Sequence, residues 1–243
     1  MKCNYSNMHN SQTANGSQNA ALIQIDKRTA YHLAGHSAAI YLGNKHKQLP
    51  AVHFQINIKP QVEDGQQADR FTRMQGKCTA NIEGGRLIQS LPMSFAEATQ
   101  GLPSSQQEES LCAFEADVIN LLAGSLAEAK FVAAHDGEVF TPNIVNLAAL
   151  KFYGGSSDLE VINEYMECFM LHKAKRDQKL SELFLAAFGF VNKPSNWQAI
   201  SGLAEFIQGE PQDIIHCEDV ISFLDTRFVE GTGNYSALMP SCI

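Results

Sequence analysis

The chain has 243 residues, of which 44% are hydrophobic and 18% charged. That length and apolar content suit one large domain or two small ones around a substantial core, and they exclude a chain that is disordered throughout. Lysine and arginine number 18 against 26 aspartates and glutamates, a net charge of −8. Such a balance argues against an extended phosphate-binding surface, and so against nucleic acid as a partner.

The apolar stretches are broken by polar residues before they reach the roughly 20 that a bilayer requires, so no membrane partner is expected. The N-terminus has neither an uninterrupted apolar core nor an arginine-rich transit pattern, which points to the cytoplasm. Six cysteines (Cys3, Cys78, Cys112, Cys168, Cys217 and Cys242) lie far apart without a C-x-x-C pair. They read as reduced, mostly buried thiols rather than a disulfide framework or a cysteine-rich zinc site.

Residues 1–20, rich in Asn, Ser and Gln, are expected to be disordered, with a single domain over 21–230 and a loose tail over 231–243. From Asp26 onward Ala30, Leu33, Ala34, Ser37, Ala38 and Tyr41 recur at helical spacing, predicting a helix that stops near Gly43-Asn44. Val52, Phe54, Ile56 and Ile58 alternate with polar residues up to Pro60, a strand pattern. Residues 61–80 read as loop, a second short strand is expected after the Gly84-Gly85 turn, and 92–108 reads as an exposed connection.

The second half is helical. An amphipathic run covers Glu109 to about Ala134, and a shorter helix is expected over 142–153. Ser157-x-x-Glu160 has the spacing of a capping box opening a helix to about His172. Further helical patterns span 179–189, 195–207 and 217–228. The fold class is therefore mainly α, with a small β element after the first helix.

His32 and His36 stand four apart, separated by only about 40° around a helix axis, so both imidazoles project from one face. A helix presents two nitrogen ligands to one zinc ion in this way. With eight histidines in the chain, about one sequence in four would carry such a pair by chance. The pair alone therefore does not separate a metal site from two incidental histidines.

The surrounding segments add to it. AYHLAGHSAAIY (30–41) resembles the zinc helix of FtsH-type ATP-dependent metalloproteases, whose motif is H-E-A-G-H, with His32, Ala34, Gly35 and His36 in place. VHFQINIKP (52–60) and GGRLIQSLP (84–92) are similar to the strands that follow that helix. DVINLLAGSLAEAKF (117–131) resembles the family's L-L-G-G-R-A-A-E-E helix, and YGGSSDLEVINEY (153–165) its G-A-S-N-D-L-E segment. SNWQAISGLAEFI (195–207) and DVISFL (219–224) resemble its terminal helices, so the likeness covers roughly 26–225.

This resemblance implies an FtsH-type peptidase-like domain in which His32, His36 and Asp158 ligate zinc and leave a fourth position open. On its own residues, Asp158 also reads as a carboxylate stabilised by a helix N-terminus, and both roles can hold together. It further implies a peptide or protein substrate or partner, including other protease subunits.

Two departures limit the activity implied. The motif's Glu, which moves a proton between water and the leaving amine, is Leu33 here. Losing such a group typically costs about 10²–10⁴-fold, so the chain reads as a pseudopeptidase or a peptide- or partner-binding module. Glu128 is the nearest candidate for a supporting or rescue role, and otherwise reads as a helix-face carboxylate or a partner for a histidine N–H. Glu115, Asp117 and Glu160 have weaker claims, and His46, His53, His135, His172 and His216 lack ligand spacing. Nor does the ATPase fingerprint G-x-x-x-x-G-K-[ST] occur in the sequence. The alternatives are an active zinc metallopeptidase using another base and a metal-free interaction domain.

Overall fold

The computed structural model describes residues 25–60, 78–92, 94–210 and 212–228. The lead-in expected over 1–20, the tail expected over 231–243 and most of the loop expected over 61–80 lie outside the described residues. The fold is mainly helical with a small three-stranded sheet.

Helix α1 runs from Lys27 to Ala38 and is opened by Asp26, whose Oδ1 accepts the amide of Thr29 at 3.1 Å. Its buried face carries Ala30, Leu33, Ala34, Gly35, His36, Ser37 and Ala38. The helix does not stop near Gly43-Asn44. It widens into one π turn over Ala39–Gly43 and closes with α2, Asn44–His46. Glycine in a helix is a weak stop when the flanking turns are packed, and here Ile40 and Asn44 are buried.

Strand β1 (Phe54–Pro60) pairs antiparallel with β2 (Cys78–Gly84) and with β3 (Ile214–His216), giving the order β2-β1-β3. Phe54, Ile56 and Ile58 point their side chains into the core. The second strand thus runs up to Gly84 rather than following Gly85. Gly84 and Gly85 both have positive φ, a conformation that ends the ladder. Beyond them, residues 86–92 are irregular because a buried carboxylate takes their amides: Leu87 and Ile88 each donate to Asp117 at 2.9 Å. Tyr165 also donates to Asp117, at 3.0 Å.

The connection expected over 92–108 contains a short helix, α3 (Phe95–Thr99), and the first turn of α4 (Ser104–Asp136). Among the described residues α4 is the one helix long and apolar enough to cross a membrane by length and composition. Its most apolar window is 61% buried inside the protein, as the central core helix against α1, α5 and α6. Here α5 spans Ser156–Phe169 and α6 spans Lys173–Asn192, while the expected helix over 142–153 is reduced to a 3₁₀ segment, Leu147–Phe152. Helices α7 (Pro194–Gly209) and α8 (Cys217–Phe228) are the last helices among the described residues, with α7 packed on α1.

The axes of α1 and α4 cross at Gly35. A Cβ there would meet the Ala123 carbonyl oxygen at 2.5 Å and the Ala127 Cβ at 2.6 Å, so only glycine permits the approach. That contact sets the two histidines of α1 against α4.

Candidate metal centre

His32 and His36 lie one turn apart on α1, with Nε2 atoms 3.0 Å from each other. Asp158 reaches them from the first turn of α5, its Oδ2 3.5 Å from His32 Nε2 and 3.4 Å from His36 Nε2. The three residues expected as ligands are thereby brought together, although the expected capping box is not formed. Helix α5 begins at Ser156 after Gly155, without a side-chain cap, so Ser157 is its second residue and Asp158 its third.

Both Nδ1 atoms face acceptors. His36 Nδ1 donates to the Asn120 carbonyl at 2.8 Å, and His32 Nδ1 faces the Tyr153 carbonyl at 3.2 Å and Glu128 Oε2 at 3.3 Å. A carbonyl oxygen only accepts, so each ring carries its hydrogen on Nδ1 when neutral. The two Nε2 lone pairs then converge on a carboxylate oxygen that has no hydrogen-bond partner despite being buried. Three acceptors meeting at one point is unfavourable unless a cation or an additional proton sits among them.

The geometry suits a metal ion. Ligand atoms about 2.0–2.1 Å from a tetrahedral zinc lie about 3.3 Å apart, and the triangle here has sides of 3.0, 3.4 and 3.5 Å. The three side chains are 10–18% exposed, while the Asp158 oxygen that faces both rings is itself buried. Two imidazoles and one carboxylate are a donor set that a zinc-class ion accepts.

Without a metal, the charges are shared by a proton. Burial opposes charge on His32, but the Asp158 and Glu128 carboxylates beside its two ring nitrogens outweigh that and raise its pKa to about 9. For Asp158 burial also works against ionisation, and the two histidines overcome it, holding the carboxyl well below the usual range.

Glu128 is buried on α4, where its Oε1 accepts from Arg28 Nε at 2.8 Å and its Oε2 faces His32 Nδ1. It therefore stands behind the imidazole, on the side away from Asp158, as a partner for the histidine N–H. From there it is placed to orient the ring through the Nδ1 hydrogen. Glu115 pairs with Lys179, Asp117 holds the 86–92 segment, and Glu160 is exposed. Leu33, at the position of the motif's Glu, is 2% exposed within the hydrophobic core. His46, His53, His135, His172 and His216 are exposed.

Three contributors escape sequence reasoning. The carbonyls of Asn120 and Tyr153 carry no side-chain signature. Gly124 does leave a trace, as the small residue in LAGS: a Cβ there would fall 2.2 Å from His36 Nε2. Comparison with family models, with curated proteins and with solved structures finds no match for the chain.

Proposed function

We propose that this chain is an FtsH-type peptidase-like domain that binds zinc through His32, His36 and Asp158 and acts as a pseudopeptidase, holding a peptide or a partner protein. The observation that carries this reading is the convergence of two Nε2 lone pairs and an unpartnered carboxylate oxygen from helices far apart in sequence. The order of segments around the H-L-A-G-H motif supports the family assignment.

A zinc ion so held would polarise a substrate carbonyl and acidify water. The chain's own residues do the rest. Asn120, Tyr153 and Glu128 fix both imidazoles by their Nδ1 hydrogens, and Arg28 holds Glu128 in place. No general base faces the open position among the described residues. Leu33 is aliphatic and buried, and Glu128 is turned away. Binding without efficient hydrolysis is the chemistry this arrangement favours.

Metal analysis of purified protein is expected to find about one zinc per chain at this centre, lost in Asp158→Asn and in His32→Ala. Peptide-library cleavage with added zinc is expected to stay at background. Chelator-sensitive cleavage that survives purification would favour an active enzyme instead. A melting temperature unmoved by chelator or zinc would favour a metal-free interaction domain, since a ligand bound by the native state must stabilise it.

A further inference from the structure

A second cluster of ligating side chains lies on the sheet, in residues that the His32–His36–Asp158 centre does not use. The pairing of β1 with β3 sets Gln55 opposite His216. His53 lies two residues before Gln55, and Glu218 two residues after His216, where the chain has turned into α8 at Cys217. The Cys217 Sγ, a His53 ring nitrogen and a Glu218 carboxylate oxygen all lie within 4.8 Å of one another.

We propose that His53, Cys217 and Glu218 form a second metal site, which takes a zinc-like divalent transition ion and clips the start of β1 to the start of α8. The donor set is mixed: one sulfur, one imidazole and one carboxylate suit a borderline-soft ion of this class and suit magnesium or calcium poorly. The charge balances, because a thiolate and a carboxylate together offset a divalent cation. The N-terminal end of α8 favours those two anions and opposes the cation, so the ion depends on both of them.

Around a tetrahedral zinc, sulfur and nitrogen ligands lie about 3.6 Å apart, so the side chains, all within 4.8 Å of one another, have at most about 1.2 Å to close. His53 and Glu218 are exposed and can rotate to do so, while the buried Cys217 is the fixed member. Burial and the Glu218 carboxylate push the Cys217 thiol up, against the Phe54 amide that favours the thiolate, so the ion must displace its proton on binding.

Sulfur separates the two centres experimentally, because the His32–His36–Asp158 triangle contains none. The full chain, stripped with chelator, is titrated with cobalt(II). About two cobalt ions per chain are expected, one of them giving sulfur-to-cobalt charge-transfer absorption in the near ultraviolet. Cys217→Ser should abolish that absorption and leave the other ion bound, and Asp158→Asn should do the reverse. Because Cys217 is buried and its replacement could disturb folding, the exposed positions supply a second arm: His53→Ala and Glu218→Gln should each weaken the sulfur-linked cobalt at least tenfold. Cobalt bound without sulfur absorption, absorption that survives Cys217→Ser, or affinity unchanged in both exposed variants would overturn the proposal.

Discussion

The sharpest test of the metal centre lies not in a ligand but in Gly124, on the helix behind it. An added methyl group at this position would sit 2.2 Å from His36 Nε2 and 2.3 Å from its Cδ2. Non-bonded atoms of this kind rest about 3.5 Å apart or more, so the imidazole would have to retreat by about 1.3 Å. It has no free direction in which to go, because its Nδ1 is tied to the Asn120 carbonyl at 2.8 Å. Metal–ligand distances tolerate only about 0.2 Å, so Gly124→Ala should cost more than about a hundredfold in zinc affinity. Stability of the metal-free protein should change far less. Crowding costs about 1–3 kcal/mol, and replacing a helical glycine by alanine returns about 1 kcal/mol. Gly189, in α6, supplies the control, since a Cβ there meets nothing within 4 Å. Gly189→Ala should stabilise by about 1 kcal/mol and leave zinc binding intact. Both variants are compared by competition titration with a chromophoric chelator and by denaturant unfolding without metal. Full zinc affinity in Gly124→Ala would show that the imidazole of His36 is not a ligand held against α4.

Glu128→Gln should weaken zinc binding about tenfold, the low end for a residue that orients a ligand, because the Tyr153 carbonyl at 3.2 Å remains as an acceptor for His32; an unchanged affinity in the same titration would remove Glu128 from the site. In chelator, stability should also depend on pH through His32. Its folded pKa of about 9 lies above the ordinary 6.5, so its contribution is complete below pH 6.5 and is lost as the pH rises through about 9. The full swing is on the order of 3 kcal/mol, read as the difference in unfolding free energy between the wild type and His32→Ala across that range. A difference that stays flat with pH would contradict the shared proton.

Local patterns carried much of this molecule. The alternation of Phe54, Ile56 and Ile58 reads directly as a strand, and it is one, because a sheet buried on one face needs period two. The spacing of His32 and His36 reads as two rings on one helix face, since four residues bring a helix nearly full circle. Elements fixed by distant partners were read less well. The strand expected after Gly84-Gly85 instead runs up to Gly84, and Leu87 and Ile88 give their amides to Asp117, a residue some thirty positions away. Likewise β3 is only three residues long and exists because β1 offers it an edge.

The candidate centre divides in the same way. Sequence by itself determined that α1 presents two imidazoles side by side and that the aliphatic Leu33 stands next to the first of them, because both are properties of neighbours along one helix. Tertiary structure alone decided that Asp158 meets them, that Glu128 stands behind His32 rather than before it, and that Gly124 leaves room for the ring of His36. Those facts depend on how α4 and α5 pack against α1, and packing is set by the summed contacts of the whole core, which no short stretch of residues contains.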